Sequence, residues 1–324
     1  GKDATDAKIG DTLTFTLTST IPDMSAYDTY TFNFKDTLSK GLTFGQVKSV
    51  KVENVTLTEN TDYTVTTPTA SNNNTLTVAM KDFKTKQQAN AGKKITVTYT
   101  ATLNENAVVG GAGNVNSAKI QYSNNPSTNG TGESEPSKVR VFTYGFTVDK
   151  YTGDQYTDAA TRLAGAEFTL AHKDGSAISF VQVSAGSATA NAVYRVAKAG
   201  ETGTTTITTP ANGKVVFEGL KNGEYTLTET KAPAGYNKLA SAIGVKVNGQ
   251  NNGTDTTNAT VTITYNNDNG NDYNQTASNG VIPVQNKSGA ILPGTGGMGT
   301  IAFTVIGVLV IALGVAWTLK RKNA

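Results

Sequence analysis

The chain has 324 residues, a net charge of +3, an apolar content of 37% and an aromatic content of 8%. That length holds two domains of ordinary size and a tail, and the apolar share supports two modest cores, not one large one. Lys320, Arg321 and Lys322 account for the whole net charge, and the near-neutral remainder makes no electrostatic case for nucleic acid. With no cysteine and one histidine, His172, the chain also lacks a disulfide, a metal-ligand set and a Cys–His nucleophile pair.

In chain order, residues 11–20 alternate. Leu13, Phe15 and Leu17 share one face and threonines the other, the pattern of a half-buried strand. Residues 29–36 repeat it with Tyr30, Phe32 and Phe34. Further strand-like runs lie at 47–57, 63–67, 75–80, 93–103, 114–123 and 138–143, separated by Gly, Asn, Pro and Ser clusters. The stretch 81–86 reads as a solvated turn and 124–136 as a polar loop. No helical period of useful length appears. Short strands punctuated by turn signals predict an antiparallel sandwich for residues 1–143. A second unit, residues 144–287, has strand-like runs at 145–150, 166–172, 177–184, 193–197, 214–217, 223–230, 242–247, 259–265 and 281–286.

The tail differs in kind. Residues 288–300 are a linker that carries Leu292-Pro293-Gly294-Thr295-Gly296. Residues 301–319 are uncharged and mostly apolar. As a helix the run is about 28 Å long, near the hydrocarbon thickness of a bilayer, so a transmembrane helix is predicted there. Residues 320–324 hold the three cations of a retained cytoplasmic tail. The chain begins at Gly1 with no signal peptide, so it is expected to be the C-terminal part of a longer exported precursor.

Within the second unit the alternation places polar groups on apolar faces. Lys150 shares the parity of Phe146 and Val148, Glu229 that of Tyr225 and Leu227, and Asn286 that of Ile282 and Val284. Burying any of the three unpaired is unfavourable. One reading is that each lies at a strand end and reaches water. The other places them together. Burial then lowers the Lys150 pKa and raises that of Glu229. The amine attacks the Asn286 carboxamide while Glu229 polarises it and shuttles protons, ammonia leaves, and a Lys–Asn isopeptide bond remains.

Resemblance adds to this. The order pentapeptide, apolar span, basic tail resembles the cell-wall sorting signal of Gram-positive surface proteins. It implies cutting by a sortase between Thr295 and Gly296. Tyr225-Thr-Leu-Thr-Glu229-Thr-Lys-Ala-Pro233-Ala-Gly235-Tyr236 resembles the E-box of Gram-positive pilins, and Leu163-Ala-Gly165-Ala166-Glu167-Phe168 resembles another feature of the collagen-adhesin B-type domain. That family's roles fall on Lys150 as nucleophile, Asn286 as acceptor and Glu229 as catalyst. The first unit resembles the collagen-adhesin A-type domain of backbone pilins through Ala7-Lys-Ile-Gly10-Asp11, Ile21-Pro22, Asp36-Thr-Leu-Ser-Lys-Gly41-Leu42 and Tyr122-Ser-Asn124-Asn125-Pro126. There the resemblance implies Asp36 as the acid and Asn124 as the acceptor, with Asn125 second. The lysine is the gap: Lys2 and Lys8 are nearest, and both have the parity of the outward threonines.

The expected architecture is therefore all-β: tandem immunoglobulin-like antiparallel sandwiches, A-type then B-type, followed by a C-terminal transmembrane helix. The resemblance implies a structural subunit of a covalently polymerised pilus (fimbrium), anchored to the cell wall and serving adhesion and colonisation. It would be a sortase substrate and not an enzyme toward outside substrates. Its partners would be a sortase, neighbouring pilin subunits and peptidoglycan, with the membrane before sorting. No cofactor, metal or nucleic acid is expected. The alternative is a singly anchored adhesin or accessory pilin that binds a host ligand. The Val-Tyr-Pro-Lys of the pilin motif is not present.

Overall fold

The computed structural model describes residues 3–250, 259–267 and 272–289. Lys2, the pentapeptide Leu292 to Gly296, the apolar run 301–319 and the basic tail lie outside the described residues. Among the described residues no helix is long and apolar enough to cross a membrane.

The first eleven strands are β1 (Ala4–Asp6), β2 (Thr12–Thr20), β3 (Phe32–Leu38), β4 (Leu42–Val52), β5 (Val55–Thr56), β6 (Tyr63–Thr66), β7 (Thr75–Met80), β8 (Lys94–Leu103), β9 (Asn114–Ser123), β10 (Thr131–Glu133) and β11 (Ser137–Phe142). They form one sheet in the order β1-β11-β9-β3-β7-β6, with β10 on β9, and a facing sheet β2-β8-β4-β5. β8 shows why. Ile95, Val97, Tyr99, Ala101 and Leu103 are buried, and threonines between them turn to the outer face. Each large apolar side chain so buried stabilises the sandwich by roughly 1.5–3 kcal/mol.

The remaining strands are β12 (Tyr144–Thr152), β13 (Thr161–Arg162), β14 (Glu167–His172), β15 (Phe180–Ser184), β16 (Ala192–Val196), β17 (Ile207–Thr208), β18 (Lys214–Leu220), β19 (Gly223–Lys231), β20 (Ile243–Gln250), β21 (Thr260–Asn266), β22 (Gln275–Thr276) and β23 (Val281–Gln285). One sheet runs β13-β12-β18-β16-β15, with β23 also on β12, and the other β17-β14-β19-β20-β21-β22. The described chain is all-β apart from short helical turns. β12 and β23, first and last in this half, pair in parallel, Lys150 opposite Val284.

Three departures from the sequence reading have physical causes. Residues 81–86 contain the start of a short helix, α1 (Phe83–Gln87), not a plain turn. Its Phe83 is buried and stacks on Phe32 with ring centroids 4.5 Å apart, and a single apolar anchor leaves no periodic signal. β4 begins at Leu42, ahead of the predicted run, because its register shifts between Phe44 and Val47 and the bulge breaks the alternation. β1, β10, β13, β17 and β22 are too short for a period to show.

The two sandwiches meet closely. Ile9 donates its N–H to the Gly219 carbonyl at 2.9 Å, and the Asn222 N–H reaches Asp6 Oδ2 at 2.8 Å. Gly219 has φ +83°, and a Cβ there would lie 2.7 Å from Ile9 Cδ1, so only glycine admits the approach.

Candidate functional site

The second sandwich brings Lys150, Glu229 and Asn286 together in its core. Parallel pairing of β12 and β23 sets the lysine and the amide side by side in one sheet. β19 of the facing sheet supplies the carboxylate. Lys150 Nζ lies 3.0 Å from Glu229 Oε1, and both side chains are wholly inaccessible to solvent. Asn286 Nδ2 donates to Glu229 Oε2 at 3.0 Å and to the Asn237 carbonyl at 2.9 Å. The Leu239 N–H also donates to Glu229 Oε2, at 2.7 Å. The carboxylate thus spans nucleophile and amide nitrogen, one oxygen on each. Burial pulls the Lys150 ammonium below its ordinary pKa, against the opposing pull of Glu229. The Phe168 ring, whose centroid is 5.6 Å from Nζ, helps exclude water. The Asn286 backbone is fixed by its N–H to the Tyr151 carbonyl, 3.0 Å.

The first sandwich holds a second buried acid–amide set. Asp36 on β3 is fully buried, and burial raises its pKa despite the hydrogen bonds of Tyr99 and Asn116. Its Oδ2 accepts from Tyr99 Oη at 2.6 Å and from Asn116 Nδ2 at 2.9 Å. Asn116 Nδ2 also reaches Tyr99 Oη, 2.8 Å away. Asp36 Oδ1 and Asn116 Oδ1 are buried with no hydrogen-bond partner. Asn116 borders a cavity of about 460 Å³ lined also by Ala4, Phe15, Phe34 and Val139.

Asn124 is not at this site. It is exposed, beyond the end of β9, as is Asn125. The inward parity assigned to Asn124 belongs equally to Asn116, and register decides between them: Asp36 pairs with Ala118 and Leu38 with Asn116. Lys8 is ion-paired with Asp11 at 2.8 Å and does not reach Asp36. Among the described residues no lysine lies within ion-pair distance of Asp36. Sequence reasoning also passed over Tyr99, because a tyrosine at inward parity reads as core.

Two family models match the chain. Residues 9–126 match the Gram-positive pilin backbone subunit 2, Cna-B-like domain, where the sequence resemblance implied the A-type. Residues 154–261 match SpaA, a prealbumin-like fold domain. Glu229 falls inside that second match, and Lys150 and Asn286 fall outside it. No curated protein sequence matches the chain. Among solved structures, the 35 kDa C-terminal fragment of the major pilin GBS80 of Streptococcus agalactiae is 23% identical with a TM-score of 0.61, covering 88% of this chain and 96% of that one. The pilus 2b backbone protein of group B streptococcus is 26% identical with a TM-score of 0.57, covering 89% and 97%. Domains D2 and D3 of the major pilin SpaD from Corynebacterium diphtheriae are 27% identical with a TM-score of 0.50, covering 73% and 83%. In class, then, this is a tandem β-sandwich chain with buried acid–amide sites. The family and structural matches support a backbone pilin of Gram-positive bacteria.

Proposed function

We propose that the chain is a structural shaft subunit of a sortase-assembled surface pilus, and that Lys150 and Asn286 become joined by an isopeptide bond. The observation that carries this reading is the Glu229 carboxylate held between Lys150 Nζ and Asn286 Nδ2, 3.0 Å from each. Deprotonated Lys150 attacks Asn286 Cγ. Glu229 takes the surplus proton through Oε1 and returns one to Nδ2 through Oε2. The Cγ–Nδ2 bond breaks, ammonia leaves, and the new amide links β12 to β23. The two charged partners cease to be an isolated ion pair in the core, which removes the desolvation burden of that pair.

Such a bond clamps the first strand of the sandwich to the last. Tension applied at the two ends loads a covalent link and not the ladder hydrogen bonds. A cysteine-free exported chain gains by it what a disulfide otherwise supplies. In the first sandwich the acceptor is Asn116 and the acid Asp36, and the cavity beside Asn116 has room for a lysine side chain. The pentapeptide Leu292 to Gly296, the apolar run and the basic tail support transfer of the Thr295 carbonyl to a sortase and on to an amine, of a neighbouring pilin or of peptidoglycan.

The test is the intact mass of recombinant Gly1 to Gly289 beside its Glu229→Ala variant. The expected wild type is lighter than its sequence by at least one ammonia, and the variant regains one. A wild-type mass equal to the sequence mass would overturn the Lys150–Asn286 assignment.

A further inference from the structure

We propose that Asp149, Arg162 and Tyr156 form a positioning clip for Lys150, an inference that rests on the reading of Lys150 as a nucleophile. Successive side chains on a strand leave opposite faces, so Asp149 points away from the core that Lys150 enters. Asp149 is nevertheless fully buried. The stretch between β12 and β14 covers it. Tyr156 donates its hydroxyl to Asp149 Oδ2 at 2.8 Å, and Arg162 Nε lies 2.7 Å from Asp149 Oδ1. The same guanidinium donates to the carbonyls of Thr157 at 3.1 Å and Ala160 at 2.8 Å, and it sits over the Tyr156 ring, 5.2 Å from the centroid. Lys214 brings a second cation to 3.7 Å from Asp149 Oδ2.

The backbone of Lys150 is held by the chain neighbours of those two cations. Its N–H donates to the carbonyl of Gly213, next to Lys214, and its carbonyl accepts from the N–H of Leu163, next to Arg162, both at 2.9 Å. Gly213 has φ +71°, and a Cβ there would lie 2.5 Å from the Lys150 carbonyl oxygen. One carboxylate therefore gathers both segments that grip the Lys150 peptide.

Locking the outer-face side chain and both backbone edges fixes the rotation of β12 about its own axis. That rotation sets the aim of Lys150 Nζ. A turn of about 10° moves an ammonium about 6 Å from its Cα by about 1 Å, and a misplacement of that size slows a preset reaction on the order of 100-fold. Neither Asp149, Arg162 nor Tyr156 touches the reacting atoms, so they act through Lys150.

The experiment is cell-free synthesis of Gly1 to Gly289, quenched at intervals, with intact mass reporting ammonia loss and limited proteolysis reporting the folded fraction. Arg162→Ala and Asp149→Asn are expected to slow bond formation per folded molecule by about tenfold or more. Arg162→Lys, which keeps the cation, recovers part of the rate. Tyr156→Phe removes one hydrogen bond at a half-exposed position and slows formation less, in the same direction. If the folded fraction falls but the rate per folded molecule stays that of wild type, the clip is overturned and its residues merely staple the loop. A wild type that never loses ammonia overturns the underlying reading, and the clip with it.

Discussion

The two sandwiches solve one design problem differently. In the second, the acid stands on the sheet facing the amide, and the lysine lies beside the amide on a parallel neighbour. In the first, acid and amide share one sheet on antiparallel neighbours β3 and β9, and the facing sheet contributes a phenol. In the second site both Glu229 oxygens are engaged, Oε1 by Lys150 and Oε2 by Asn286 Nδ2 and the Leu239 N–H. Both sites leave a buried amide oxygen without a donor, Asn286 Oδ1 in the second and Asn116 Oδ1 in the first, and the first leaves Asp36 Oδ1 as well. Buried acceptors of this kind are unfavourable by about 1–3 kcal/mol each. The sites differ at the acid: Lys150 Nζ stands 3.0 Å from Glu229 Oε1, whereas Asp36 Oδ1 has no hydrogen-bond partner among the described residues, so the amine decides whether burial of the carboxylate is compensated.

The largest expected effect separates the two halves directly. Glu229→Ala removes the catalyst and leaves Lys150 buried without a counter-charge. By the loop-closure model used for disulfides, the lost link over about 137 residues lowers stability by roughly 5 kcal/mol. The second sandwich should then melt about 10–20 °C lower, with the first little changed. Scanning calorimetry reads both transitions. A variant that melts with wild type would remove the covalent clamp from the account. Next in size, Gly219→Ala forces a Cβ to 2.7 Å from Ile9 Cδ1 at a positive φ. It should lower stability by about 1–3 kcal/mol and shift the transitions of both sandwiches, because Ile9 and Gly219 belong to different sandwiches. A first-sandwich transition that stays in place would show that the junction does not couple them.

How much of this was legible in the sequence follows from what alternation can carry. Parity placed Lys150, Glu229 and Asn286 on inward faces, and the structure sets them in one core pocket. Parity repeats every second residue, however, so it treats Asn116 and Asn124 alike. Choosing between them needs the pairing of β3 with β9, a long-range register that no local pattern encodes. Asp149 was invisible for a related reason. Its parity is outward, which reads as solvent-facing, and only the loop carrying Tyr156 and Arg162 turns that position into a buried one. The sandwich architecture was legible because many threonine-alternating strands agree, whereas α1 and the two-residue strands offered too few residues to vote.

Asn116→Ala tests the register argument. It should destabilise the first sandwich by about 1–3 kcal/mol through the lost hydrogen bonds to Asp36 and Tyr99. Asn124→Ala, at an exposed position, should stay within about 0.5 kcal/mol. Denaturant midpoints at neutral pH compare the two, and equal effects would sink the choice of Asn116.

The smallest effect is a slope with pH, and it asks whether an amine completes the first site. Burial raises the Asp36 pKa above its ordinary 3.8 in the folded chain. The folded state then holds a proton that the unfolded state releases between those two values. Stability from this group therefore falls as pH rises from about 3.8 through the raised value, and it is restored on acidification. Asp36→Asn abolishes the slope, so the wild type should gain relative to that variant as pH drops through the window. A lysine beside Asp36 would reverse the sign. It would hold the carboxylate ionised and depress the folded pKa, and the wild type would then lose stability on acidification. Denaturant titrations of both chains across that range read the sign. A reversed slope would mean that a cation stands beside the Asp36 carboxylate in the folded chain.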